Sequence, residues 1–352
     1  MYPYVFLYLV VAFFFVVDRR FIENPFVFWG VFMFVVLFSG LRLDVGVDYK
    51  NYTEIFSVLK GGVGEVDAER VEPLTHFFVR IVDLLGFGDQ YVFFIFSFIT
   101  LLGVFQFIRL FSLDRRVSIF VFVCVGIFFF ATLNGMRQWL AISFFLMSLN
   151  PVLKRNYFTA LFFLGCMIAS HYTSVLLLFI YPFLFFRFSI FHVLLGFLLA
   201  YVMGYSMPYL LAGSVYSIYF NKEFLQQGIS MKLLFLYVAS MLFFLFYFGY
   251  FKKKVCMGRE ILVLLNMCLA SVVVIVVMSA INASPTLMMR LNTYFQIQLI
   301  ILFSYFFVSL RGRWIYYHIK MAFFILIGTY YFYTLFFNGA RYSLTPYALR
   351  FS

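Results

Sequence analysis

Charge is what this chain has least of. Only 11% of its 352 residues are Asp, Glu, Lys or Arg, and the acids number 14. So little polar surface cannot coat a water-soluble globule of this length, and a mean hydropathy of +1.01 excludes one on the same grounds. Cysteine is scarce as well. Cys124, Cys166, Cys256 and Cys268 stand apart in apolar stretches without metal-ligand spacing, so they read as small buried hydrophobes. The chain has no Walker loop, no Gly-Xaa-Gly-Xaa-Xaa-Gly after a strand, no His-Glu-Xaa-Xaa-His and no Gly-Xaa-Ser-Xaa-Gly, which argues against ATP-driven chemistry.

What the chain has instead is apolar runs of about 15 to 22 residues, the length a helix needs to cross a hydrocarbon core of about 30 Å. They do not alternate every second residue, as strands of a barrel would. The 56 Phe and 26 Tyr fit bulky packing and interface anchoring better than a binding site. A net charge of +12 would suggest nucleic acid in a soluble protein. Here the basic residues fall in short clusters between apolar runs and act as topology signals, so no nucleic-acid partner is expected.

Arg19 and Arg20, Arg115 and Arg116, Lys154 and Arg155, Arg187, Lys252 to Lys254, and Arg311 and Arg313 follow alternate runs. Placing them all in the cytoplasm gives spans near 3–17, 26–41, 91–111, 117–133, 138–150, 157–170, 174–186, 189–207, 232–250, 260–281, 292–310 and 314–337. The expected fold is an all-α polytopic membrane protein of about 12 transmembrane helices, a single integral membrane domain over 1–352. The first run, Tyr4 to Val17, lacks a basic n-region and a small-residue cleavage site and reads as a retained helix. The segment Pro73 to Gly86 carries His76, Arg80 and Asp83 at helical spacing; if it spanned, Arg115 and Arg116 would be exported, so an outer-face amphipathic or re-entrant helix is expected. The short runs 138–150 and 174–186 should extend into the polar residues before them, setting Arg137 and His171 at the outer rim.

This threading leaves an extracytoplasmic acidic loop with its surface helix over 42–90, and an aromatic loop over 208–231. Arg42 to Glu72 alone holds seven of the 14 acids against four basic residues. No internal repeat supports a transporter built from two similar halves.

An ionisable group at the edge of a bilayer needs a partner or a wet cavity. Arg80, Arg137, Arg290 and Arg341 qualify as site candidates, because a guanidinium fork suits phosphate or pyrophosphate oxygens. The alternative is that each snorkels to headgroups or pairs with a loop carboxylate. His171 is either a general base, titrating near neutral pH, or a hydrogen-bonded helix-end histidine. Glu72 either pairs with Arg80 or acts on substrate. Asp48, Tyr49 and Tyr52, in Gly46-Val47-Asp48-Tyr49-Lys50-Asn51-Tyr52, combine a carboxylate with aromatic rings in the manner of a sugar site, although any solvated loop can share that composition. His76 remains a candidate, whereas His192 and His318 sit near cytoplasmic helix ends and suit an interfacial role. Asp44 and Asp48 lack a third ligand, and no metal is expected.

The motif at 46–52, Glu72-Pro73-Leu74, Arg137-Gln138-Trp139-Leu140-Ala141, Ala169-Ser170-His171-Tyr172-Thr173-Ser174, Arg290-Leu291-Asn292-Thr293-Tyr294 and Pro346-Tyr347 together resemble the EpsG-like branch of Wzy-type polysaccharide polymerases, over nearly the whole chain. That resemblance implies a GT-C-like fold in the bacterial inner membrane, with an active site on the periplasmic side. It implies transfer of a glycan from undecaprenyl pyrophosphate to a sugar hydroxyl of a second lipid-linked repeat unit, building O antigen or exopolysaccharide. No cofactor is implied, since the leaving group carries the activation. The implied partners are lipid-linked oligosaccharides and membrane lipids, with a chain-length regulator and a flippase.

By the same resemblance, Arg137 and Arg290 hold the donor pyrophosphate, and Arg80 and Arg341 hold the acceptor's phosphates or shape the cavity. His171 is the first choice of base and Glu72 the second. Asp48, Tyr49 and Tyr52 orient sugar, and Gln138, Asn292 and Tyr294 join the substrate-binding set. The rival readings are a glycosyltransferase using an undecaprenyl-phosphate sugar, a lipid-linked oligosaccharide flippase, and a purely structural membrane partner.

Overall fold

The computed structural model describes residues 2–62, 64, 71–188, 258–280, 285–339, 344 and 347–349, with isolated positions between 195 and 243. The expected spans 189–207 and 232–250, most of the 208–231 loop, Cys256 and Arg341 lie outside the described residues.

Apolar backbone in lipid must satisfy its own hydrogen bonds, and among the described residues helices do nearly all of that work. In chain order they are α1 (Tyr2–Val16), α2 (Arg19–Glu23), α3 (Pro25–Gly40), α4 (Tyr49–Leu59), α5 (Pro73–Leu84), α6 (Asp89–Phe111), α7 (Arg115–Cys124), α8 (Phe129–Asn134), α9 (Met136–Leu153), α10 (Tyr157–Ser170), α11 (Arg259–Ala280), α12 (Pro285–Gln296), α13 (Leu299–Leu310) and α14 (Tyr316–Asn338). One antiparallel pair of two-residue strands, β1 (Arg42–Leu43) and β2 (Ala348–Leu349), ties the turn after α3 to the C-terminal segment. Asp89–Phe111, Arg259–Val276, Met288–Leu310 and Tyr316–Phe337 are long and apolar enough to cross a membrane; α1, α3 and α10 are shorter apolar helices. The protein is an all-α integral membrane protein in class.

Three runs differ from the sequence expectation. The run at 117–133 is two helices, α7 and α8, separated by a turn at Val125–Phe128. The run at 174–186 is not an α-helix: Tyr172–Phe179 and Tyr181–Phe185 are 3₁₀, a tighter winding that proline at the start of the second piece suits. The run at 292–310 breaks at Ile297 and Gln298, where α12 gives way to α13. As expected, α9 reaches back to include Arg137, and 73–86 contains an amphipathic helix, α5, burying Thr75, Val79 and Val82 and exposing Phe77 and Leu84. Twelve residues rise about 18 Å, too little to cross.

The chain divides into two compact units, Met1–Thr173 with Ile300–Ser352, and Ser174–Leu299. In the first, α6 packs against α3 and α9, α9 against α10, and α5 against α6 and α10. The α6–α9 approach is backbone-close: a Cβ on Gly103 would sit 2.5 Å from Ser143 Cβ. Small residues at such a crossing let dispersion contacts replace the hydrophobic drive that lipid removes.

The first unit has two polar clusters along α6, one level with its N-terminal half and one past its C-terminal end. Beyond its C-terminal end, Asp114 accepts bonds from Arg116 Nη2 at 2.9 Å and Arg311 Nη2 at 2.5 Å, while Arg116 Nη1 donates to the Val17 carbonyl at 2.5 Å. Burial raises the Asp114 carboxyl pKa, but the Arg116 hydrogen bond and the two guanidinium charges outweigh it and leave the group below the usual range. Three of the basic loops assigned to one membrane face thus meet at one node.

In the second unit α11 packs on α12 and on the 3₁₀ turn at Tyr181–Phe185. Asn266 Nδ2 closes that turn by donating to the carbonyls of Leu184 at 2.9 Å and Phe186 at 2.8 Å.

Candidate active site

Alongside the N-terminal half of α6, three helix ends deliver three side chains to one point. Glu72 precedes Pro73, and a residue before proline is pushed out of the helical region; its φ of −65° and ψ of 145° are extended. It occupies the N-cap of α5 without capping it, so its carboxylate reaches outward. Arg137 is the second residue of α9, just after the break at Gly135. His171 is the residue at which α10 ends; its φ of −160° turns the chain out of the helix while its N–H still donates to Met167 O and Ile168 O.

Glu72 Oε2 accepts from Arg137 Nη1 at 2.5 Å, and Glu72 Oε1 lies 3.0 Å from His171 Nδ1. The carboxylate side chain is 5% exposed, that of His171 12% and that of Arg137 24%. Burial raises the Glu72 pKa, yet the His171 hydrogen bond and the Arg137 charge more than offset it and hold the carboxyl below its ordinary value. A carboxylate can only accept, so the neutral imidazole carries its proton on Nδ1 and keeps a lone pair on Nε2. That Nε2 is buried and has no hydrogen-bond partner among the described residues. Such an arrangement can serve as an oriented base, its tautomer set by a carboxylate that a guanidinium in turn fixes.

Tyr52 closes one side. Its ring centroid lies 5.9 Å from Arg137 Cζ, and its hydroxyl faces the Arg137 N–H at 3.5 Å. Burial pushes the Tyr52 phenol up, Arg137 pulls it down, and neighbouring Asp48 pushes it up again, for a net rise. Tyr49 is buried, stacked on Phe93 with centroids 4.4 Å apart, and donates to Gln90 Oε1 at 3.4 Å. Asp48 is half-buried at the N-cap of α4, and Gln138 is half-buried beside Arg137.

The structure therefore brings Glu72, Arg137, His171 and Tyr52 together, and gives Glu72 Arg137 rather than Arg80 as its partner. Arg80 is exposed on α5 and His76 half-buried one turn from Glu72. Arg290, Asn292 and Tyr294 lie on α12 in the second unit. There Asn292 is buried, accepting from Ser271 Oγ at 2.5 Å and donating to Gln296 Oε1 at 3.2 Å; Tyr294 is buried and Arg290 half-buried. Cys124 and Cys268 are buried as expected, Cys166 partly so. Among the described residues no three His, Cys, Asp or Glu side chains group as metal ligands.

Sequence reasoning passed over Arg42, which is fully buried with no carboxylate partner among the described residues. Its only signal was position, a cation immediately beyond a long apolar helix. It also passed over Asp114, the lone acid in a basic loop.

Fold and site together define a polytopic helical membrane protein with a buried carboxylate–histidine–arginine constellation in its first compact unit. The chain belongs to the EpsG family, which matches residues 25–349 and so includes every member of that constellation. No curated protein and no solved structure matches the chain. Membership points to polymerase-type work on polysaccharide, done from within a membrane.

Proposed function

We propose that this protein is a polysaccharide polymerase that joins lipid-linked oligosaccharide repeat units. In this reading a glycan on undecaprenyl pyrophosphate is the donor and a sugar hydroxyl of a second lipid-linked unit is the acceptor, at the outer leaflet of a bacterial inner membrane. The observation that carries it is the Glu72 bridge, with one oxygen on His171 Nδ1 and the other on Arg137.

The acceptor hydroxyl oxygen attacks the donor's anomeric carbon and gives its proton to His171 Nε2. The bond from that carbon to the pyrophosphate oxygen breaks, and undecaprenyl pyrophosphate leaves with the electron pair. Glu72 holds the ring in the tautomer that accepts the proton and stabilises the imidazolium that forms. Arg137 has donors beyond the one Glu72 takes, and these meet the charge developing on the leaving group. In this reading Asp48 and Tyr52 flank the sugar, and Arg80, exposed on α5, meets an acceptor phosphate. The donor's pyrophosphate already activates the bond that breaks, so no nucleotide enters the step.

Incubating the purified protein with lipid-linked repeat units, without nucleotide, and separating the products on a gel tests this. A ladder of multiples is expected. Unchanged monomer from folded protein, in the presence of its chain-length regulator, overturns the reading.

A further inference from the structure

We propose that Arg42 is a positioning residue for the Glu72–Arg137–His171 site, acting through the break between α8 and α9. This rests on the catalytic role proposed for that site. The break at Gly135 interrupts the helical ladder, and among the bonds it opens is the one that would join the Arg137 N–H to the Leu133 carbonyl in an unbroken helix. Instead Arg42 Nη2 donates to Leu133 O at 3.3 Å, and the Tyr52 hydroxyl stands 3.5 Å from the Arg137 N–H. The two orphaned groups are taken by residues on either side of the turn at Gly46.

The rest of the guanidinium belongs to the same joint. Nη1 donates to Ser39 O at 2.6 Å and approaches Ser97 Oγ at 3.3 Å, Nε donates to Val45 O at 3.2 Å, and Nη2 also meets Met136 Sδ at 2.8 Å. Its Cζ lies 5.3 Å from the Phe93 ring, on which Tyr49 also stacks. The chain then locks down around it. Gly46, at φ +103°, lies so close that a Cβ there would be 2.5 Å from Leu133 O, and Val47 N–H donates to Asn134 Oδ1 at 2.7 Å. A buried cation is ordinarily neutralised by a carboxylate. This one is held by the carbonyls of Ser39 on α3, of Val45 ahead of Tyr52 and of Leu133 ahead of Arg137, so it ties the segments that present those two side chains to one point. Burial draws its pKa down to about 10, which leaves it charged at neutral pH.

Because Arg42 acts through Arg137, its loss should lower turnover more than substrate affinity and should not compound with loss of Arg137. Arg42→Lys keeps the charge and discards the fork; Asn134→Ala releases Val47 from the same joint without touching the buried cation. In the ladder assay each should reduce kcat by about tenfold or more with KM changed less than about threefold, as a small misplacement of catalytic groups does. In an Arg137→Gln background each should cost less than about twofold further. If Arg137→Gln lowers kcat while both joint variants multiply that loss in full, or leave kcat at the parental value, Arg42 is structural only and the inference falls. If Arg137→Gln itself polymerises at the parental rate, the reading of the site falls instead.

Discussion

Replacing Glu72 by glutamine exchanges one carboxylate oxygen for an amide nitrogen, and so reverses the direction of one hydrogen bond at the centre of the site. Glu72 serves two donors, Arg137 Nη1 at 2.5 Å and His171 Nδ1 at 3.0 Å. Glutamine has one accepting oxygen, and the cation claims it. The amide N–H₂ then faces Nδ1, which must become the acceptor, so the ring's proton moves to Nε2. The lone pair that would take the acceptor's proton in the proposed reaction is gone. A positioned base contributes about 10²–10⁴ in rate, equivalent to about 3–5 kcal/mol of barrier. Glu72→Gln should therefore slow extension of the ladder by that factor, measured as initial rate with purified protein and lipid-linked units at saturating substrate. Glu72→Asp keeps the charge and the tautomer but draws the carboxylate back by one methylene, so its rate should fall between the two. Glu72→Gln protein that melts like the parent and extends the ladder within about threefold of its rate refutes the tautomer argument.

Arg137→Ala leaves Glu72 buried without its cation, and breaking a buried pair from one side costs about 3–5 kcal/mol; both a lower melting temperature and a loss of polymerisation are expected, and a parental rate would detach Arg137 from the chemistry. Gly103→Ala puts a methyl 2.5 Å from Ser143 Cβ and should cost about 1–3 kcal/mol by forcing α6 from α9, read as a lowered unfolding midpoint in detergent. Glu72 and Asp114 both have carboxyl pKa values below their unfolded ones, so their stabilisation is complete above the ordinary carboxylate range and is lost as pH falls through the lowered folded values. Melting temperature should be flat from neutral pH down to about 5 and then drop, and Asp114→Asn should flatten part of that drop; an unchanged acid profile in Asp114→Asn would show that the node carries no such linkage.

The parts of this protein most legible in its sequence were those set by composition and length. Runs such as 91–111, 157–170 and 260–281 became helices within two residues of their expected ends, because a continuous apolar segment with polar flanks has only one stable form in lipid. The runs 117–133 and 174–186 looked the same by hydropathy and folded otherwise. Their breaks arise from local geometry at Val125–Phe128 and at Pro182, which hydropathy averages away. Glu72, Arg137 and His171 were each visible as ionisable groups at span ends, but their pairing was not, since it joins positions 65 and 99 residues apart. Arg42 was invisible for a different reason: a cation after a hydrophobic helix ordinarily marks an interface. The turn that folds Val45 back toward Ser39, together with the distant approach of Leu133, surrounds it with carbonyls.

The placement of the site at helix ends is a consequence of what lipid permits. A helix interior has no free backbone groups, and a charged side chain within it must find a partner on another helix. A helix end has both free groups and freedom of direction, at the risk of unsatisfied carbonyls and amides. Each member of the constellation sits at such an end: Glu72 where Pro73 starts α5, Arg137 where Gly135 interrupts α8 and α9, His171 where α10 turns into 3₁₀. The break before Arg137 runs that risk among buried neighbours, with Leu133, Met136 and Trp139 all buried around it. A buried guanidinium with no carboxylate is a poor way to gain stability and a good way to satisfy several converging carbonyls at once. On this view Arg42 and the site form one unit: Arg42 takes the Leu133 carbonyl that the break before α9 leaves open, and so helps aim Arg137, the second residue of that helix, at Glu72.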